Sequence, residues 1–193
     1  MKQIHITRDE TGKVTFETVS VDTTETVIFT NLDPQAAHWP DLATNQLGPA
    51  PSPNSSQCVL PSPAPNPFTY GCKLHADERG AINVFPPLTA KTSLKEAKVG
   101  TPIAEQTVVT GGMAPYAISG QTFQVKDGHN KVIQSGAGVG PGLQLNAETS
   151  DLGITITGTP TVVGTYAFTF VVNDAMGRNL QLVQYSMAVK ASA

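Results

Sequence analysis

A cysteine, a histidine and a glutamate stand three residues apart in one short stretch, Cys72-x-x-His75-x-x-Glu78. Thiolate sulfur and neutral imidazole nitrogen are the donors that suit copper and zinc, and a trigonal His2Cys set is a copper-type arrangement. The stretch supplies two of these donors and a carboxylate, so a third strong donor must come from a distant part of the chain. His38 is placed to do so, since it follows the strand-like run Phe29-Thr30-Asn31 by a few residues and has small or apolar neighbours (Ala36, Ala37, Trp39). Each residue has a plainer reading beside this one. Glu78, between Asp77 and Arg79, also reads as a solvated loop acid. Cys72 also reads as half of a disulfide with Cys58, the one other cysteine of the chain. Trp39 reads equally as a shield over the site, a docking face or a core residue, and His5 as an exposed strand histidine. The four donors His38, Cys72, His75 and Glu78 would satisfy tetrahedral zinc as well as copper.

Strands must hold these residues in place. Strand patterns run over Gln3–Thr7, Val14–Val21 and Glu25–Thr30, with turn residues between them. Phe16, Val19, Val21, Val27 and Phe29 are the expected core positions. Asn31-Leu32-Asp33-Pro34 then breaks the pattern. Seven prolines between positions 49 and 67 exclude helix there and leave room for one short strand at Gln57–Leu60. Phe68–Tyr70 and Ala81–Phe85 flank the Cys72 loop, and Phe85-Pro86-Pro87-Leu88 closes a first domain at residues 1–88.

The 193 residues suit two domains of about 100 each, and the second would occupy 89–193. Charged residues make up 14%, against about 25% in an average domain. A net charge of −3 with no basic block argues against nucleic acid, and no apolar run is long enough for a membrane span. The chain starts Met1-Lys2-Gln3-Ile4 and moves straight into strand pattern, so no signal peptide is expected. Low charge with abundant Thr, Ser and Pro nonetheless predicts an exported protein, periplasmic or extracellular.

The second half is rich in Thr, Val and Gly. Its strands are expected at Gln106–Thr110, Ala117–Ser119, Phe123–Lys126, Leu143–Leu145, Ile154–Gly158, Gly164–Asn173 and Leu180–Val189. Thr89–Lys98 has some helical propensity but weak apolar spacing, and reads as a linker or a first strand. Tyr166, Phe168 and Phe170 alternate toward one face. Asp151 and Asp174 are conceivable calcium ligands but lack a dense acidic loop, so turn aspartates are the better reading. His129 belongs to a polar hairpin, Asp127-Gly128-His129-Asn130. Through Gly142-Leu143-Gln144-Leu145, Ile156-Thr157-Gly158-Thr159-Pro160 and Gly164-Thr165-Tyr166-Ala167-Phe168-Thr169-Phe170, residues 100–189 resemble the immunoglobulin-like repeat of many bacterial surface and exported proteins. The resemblance implies a spacer, or a module that binds a protein or cell-surface partner.

The first half has a resemblance of its own. Phe29 and Asn31 ahead of His38, then Tyr70-x-Cys72-x-x-His75, then Gly80 ahead of an alternating strand, resemble the cupredoxins over residues 1–88. The resemblance implies an all-β chain in which a cupredoxin-like Greek-key β-sandwich precedes the immunoglobulin-like β-sandwich. It further implies copper on His38, Cys72 and His75, single-electron exchange with a redox partner protein, and the edges of His38 and His75 as the electron path. Glu78 stands where short-loop members carry a weakly bound axial methionine. A carboxylate there is a harder donor, expected to favour Cu(II), lower the potential and give a perturbed, red-copper-like site. Two other classes of function stay open: a surface or adhesion module whose metal site is structural or vestigial, and an enzyme acting on a small nitrogen or oxygen species.

Overall fold

The computed structural model describes residues 1–23, 25–42, 66–91, 93–147 and 153–192, with the backbone alone at 55–59 and 182. The chain falls into two compact units, Met1–Pro86 and Pro87–Ala193. Among the described residues every regular element is a β-strand, and no helix is long and apolar enough to cross a membrane. The chain is all-β.

The first unit holds β1 (Lys2–Arg8), β2 (Val14–Phe16), β3 (Val19–Asp22), β4 (Thr26–Asn31), β5 (Pro40–Asp41), β6 (Ser55–Val59), β7 (Phe68–Cys72) and β8 (Arg79–Phe85). They form two sheets of order β2-β1-β4-β6 and β3-β8-β7-β5. The β1–β4 and β3–β8 pairs are parallel. One apolar cluster joins Ile4, Ile6, Phe16, Val27 and Phe29 of the first sheet to Val21, Phe68, Tyr70, Ile82 and Val84 of the second, which makes the unit a sandwich.

The run Val14–Val21, expected as one strand, is two strands in opposite sheets. Phe16 and Val21 are both buried, yet they are an odd number of residues apart and would face opposite ways along one strand. By stepping across at Glu17-Thr18 the chain turns both into the same core. The strand expected at Gln57–Leu60 appears as β6, whose backbone pairs antiparallel with β4. Leu60 and Pro49, Pro51, Pro53, Pro61, Pro63 and Pro65 lie outside the described residues.

The second unit adds β9 (Thr89–Ala90), β10 (Ala97–Lys98), β11 (Ile103–Thr110), β12 (Ala117–Lys126), β13 (Val132–Ala137), β14 (Leu143–Asn146), β15 (Ile154–Gly158), β16 (Gly164–Asn173) and β17 (Asn179–Lys190). Its sheets run β10-β17-β16-β12-β13 and β14-β15-β11-β9 around one apolar core. Tyr166, Phe168 and Phe170 all point into that core. The two short strands expected at Ala117–Ser119 and Phe123–Lys126 are one strand, β12, bulged at Gly120 where φ is +61°. Strand β13, absent from the expected strands, has all six of its residues exposed, and no alternation marks them. Thr89–Lys98 contributes two two-residue strands and no helix. His129 lies exposed in the β12–β13 hairpin.

Candidate metal centre

Two stretches bring the donor residues together. Inward positions on β4 alternate as Val27, Phe29 and Asn31, so Asn31 is buried at the strand's end and must satisfy its amide internally. Its side chain donates to Ala36 O at 2.8 Å and accepts Asp33 N–H at 2.9 Å. Asp33 in turn accepts Gln35 N–H at 2.9 Å. These bonds coil residues 31–38 into a fixed turn that delivers His38, fully buried, beneath the edge of Phe16. From there β5 pairs with β7, setting Pro40 opposite Cys72.

On the other side, β7 points Phe68, Tyr70 and Cys72 inward. Cys72 ends the strand, buried and as a free thiol, so the disulfide alternative does not describe it. The loop closes through Cys72 N–H to Glu78 O and Glu78 N–H to His75 O, both 3.2 Å. Positions 72, 75 and 78 thereby face one point. Gly80 follows because the Tyr70 ring covers it: a Cβ built there would stand 2.3 Å from that ring.

His38, Cys72, His75 and Glu78 each present one donor atom, and all four atoms lie within 4.8 Å of one another. Cys72 Sγ is 3.5 Å from His75 Nδ1, which is 3.1 Å from Glu78 Oε2. The same oxygen is 2.9 Å from His38 Nδ1. A tetrahedral ion with bonds of about 2.0–2.3 Å has edges of about 3.3–3.7 Å, so the 2.9 and 3.1 Å contacts of Glu78 would lengthen and any pair near the 4.8 Å limit would close by about 1 Å around one. Trp39 N–H donates to Cys72 Sγ at 3.4 Å, an outer hydrogen bond of the kind that tunes a metal thiolate. The Trp39 ring, half-buried, lies under Lys73 Nζ at 5.0 Å from its centroid.

Behind His38 lies a carboxylate that sequence reasoning left out of the site. Asp33, fully buried, meets His38 Nε2 at 2.8 Å. Arg8 grips it with Nε at 3.0 Å from both carboxylate oxygens and Nη2 at 2.7 Å from one. The hydrogen bond from Arg8 holds the Asp33 carboxyl well below the usual carboxylate range. The signal available was an aspartate two residues past a strand end, a pattern shared with ordinary turns.

Charge and proton count give the cluster its meaning. A neutral imidazole carries one N–H. With that hydrogen directed at Asp33, His38 Nδ1 presents a lone pair to the Glu78 carboxylate 2.9 Å away, and either a second ring proton or a metal cation would join the two. Of the two histidines only His75 has an exposed edge: its side chain is 37% accessible, while that of His38 is fully enclosed. A route to the surface through an exposed edge therefore belongs to His75, not to both as the resemblance implied.

The remaining candidates do not join the cluster. His5, exposed, pairs with Glu17 at 2.8 Å. Asp174 accepts the backbone N–H groups of Met113, Met176 and Arg178 together with the Arg178 side chain. Asp151 lies outside the described residues.

The fold is thus that of an all-β protein with two separate sandwiches, a donor cluster in the first and a closed apolar core in the second. The family model described as "Putative Ig domain" matches residues 86–190, and the chain belongs to that family. No cupredoxin family model matches the first unit, and no curated protein matches the chain. Among solved structures, the three N-terminal domains of the highly immunogenic outer capsid protein of bacteriophage RB49 are similar at 11% identity and a TM-score of 0.36, over 91% of this chain and 67% of that one. The endo-fucoidan hydrolase MfFcnA4 of glycoside hydrolase family 107 is similar at 11% identity and a TM-score of 0.39, over 91% of this chain and 28% of that one.

Proposed function

We propose that the first unit is a cupredoxin-like copper protein whose centre, built from His38, Cys72, His75 and Glu78, exchanges single electrons with a partner. The observation that carries this reading is the mutual approach of one donor atom from each of four residues, His38, Cys72, His75 and Glu78, all within 4.8 Å of one another. A bound copper would supply a one-electron couple. The protein's own part is to hold two imidazoles, a thiolate and a carboxylate in fixed places, so that little rearrangement accompanies the change of charge. Glu78 lies where its anion would favour the more highly charged ion. His75, with Leu74 exposed beside it, offers the surface at which a partner would approach. The immunoglobulin-like unit fits an exported protein, periplasmic or extracellular, in which it spaces the centre from a surface or binds a partner.

Titration of thiol-reduced protein with Cu(II), followed by absorption spectroscopy, tests the proposal. The wild type gains a thiolate charge-transfer band and Cys72→Ser does not. A red or yellow colour identifies Glu78 as a donor, and Glu78→Met then moves the band toward blue. Zinc binding without any copper band would replace the redox reading with a structural one. Absence of the band in the wild type would sink the proposal.

A further inference from the structure

His38 differs from its neighbours in the cluster because a buried carboxylate meets its second nitrogen. We infer that Asp33, locked by Arg8, is the positioning residue of the centre: it fixes His38 as an Nδ1 donor and biases bound copper toward Cu(II). The inference rests on the copper reading and extends it to residues that touch no metal.

The geometry supports each step. Arg8 binds both oxygens of Asp33 in a fork and also donates to Gly12 O at 2.7 Å. A guanidinium held at both ends fixes the carboxylate as well. An ionised carboxylate only accepts, so at 2.8 Å it claims the hydrogen on His38 Nε2 and leaves the Nδ1 lone pair aimed into the cluster. The opposite tautomer would set lone pair against lone pair at Nε2. Orientation and tautomer are therefore chosen before any ion arrives, which removes part of the ordering cost of binding. An anionic acceptor at Nε2 also makes the imidazole a stronger donor, and a stronger donor favours the more highly charged metal.

Three variants of the copper-loaded full chain test this: Asp33→Asn, which keeps the shape and an acceptor but removes the charge; Asp33→Ala, which removes both; and Asp33→Glu, which restores the charge. The readouts are the midpoint potential and Cu(II) affinity by chelator competition. Asp33→Ala should bind Cu(II) about 10–100-fold more weakly. Asp33→Asn should keep the thiolate band while its Cu(II)-to-Cu(I) affinity ratio falls roughly tenfold, equivalent to about +59 mV for one electron. Asp33→Glu should return the potential toward the wild-type value, which a purely structural role would not require. A measurement free of variants is nitrogen NMR of the zinc-loaded wild type, where His38 should carry hydrogen on Nε2 in slow exchange with solvent. Metal on Nε2, or an Asp33→Asn protein with unchanged potential and affinity, overturns the inference while leaving the copper reading intact. A wild type without the thiolate band overturns both.

Discussion

The two sandwiches bury polar side chains differently. Among the described residues the first unit buries Asn31, Asp33 and His38, all within eight positions, whereas the second buries Asp174 alone. Asp174 occupies the turn between β16 and β17 and accepts three backbone N–H groups plus the Arg178 guanidinium, so its lone pairs are spent on architecture. A calcium role would have to displace those bonds. Asn31 and Asp33 are likewise satisfied. The chain of bonds they begin ends at His38, whose inner nitrogen meets another acceptor. A buried polar group whose hydrogen bonds close on themselves holds a fold together; one that opens onto a cluster of further donor atoms is where the proposed metal would sit.

The largest expected effects separate core from site. Phe29→Ala and Phe168→Ala each empty a fully buried position and should cost about 3–5 kcal/mol of their own unit's stability by chemical denaturation. Only the first should also disturb copper binding. Phe29 packs edge-on against Tyr70 at 5.3 Å, two residues before Cys72, while Phe168 stacks within its own core on Tyr185. Equal loss of the thiolate band in both variants would refute the division drawn here.

Metal should sharpen the same contrast. A ligand that binds only the folded form at about a hundred times its dissociation constant stabilises by about 2.7 kcal/mol. Amide hydrogens of β4 and β7 that exchange only through unfolding should then slow about a hundredfold on copper or zinc loading, while those of β16 and β17 should not change. Mass spectrometric exchange with and without metal reads both units in one experiment. Equal slowing in the two units, or none in the first, would contradict a metal site confined to the first.

Much of this arrangement was legible in the sequence, and the failures have physical causes. The convergence of His38, Cys72, His75 and Glu78 could be anticipated because thiolate and imidazole are uncommon, chemically specific donors whose order along the chain is informative. Phe29, Tyr166, Phe168 and Phe170 were found because alternation writes burial directly into sequence. The crossing between β2 and β3 was hidden because the parity of Phe16 and Val21 matters only once both are known to be inward. Strand β13 was hidden because an exposed edge carries no hydrophobic pattern. Asp33 and Arg8 were missed for a third reason: they stand 25 positions apart, and nothing local in either segment announces a pair that meets only when β1 and β4 lie side by side.

The smallest effect lies in the acid limb of the second unit. Burial pushes the Asp174 carboxyl up, but hydrogen bonds from the Arg178 side chain and from the N–H groups of Met113 and Arg178 outweigh it and hold the group below its ordinary value. A carboxyl whose folded value is depressed contributes stability that is fully present above its unfolded value, about 3.9, and is lost as pH falls through the folded one. The second unit should therefore weaken progressively below about pH 4. In Asp174→Asn the amide cannot carry charge and sets an NH2 group against the donors of Met113 or Arg178, so this variant should be less stable at neutral pH. Its stability should also change less between pH 5 and pH 2, because the titrating group is gone. Denaturant midpoints across that range, followed by tyrosine near-UV dichroism, would decide the matter: a variant whose acid limb runs parallel to the wild type would show that Asp174 is not the group whose protonation loosens the turn.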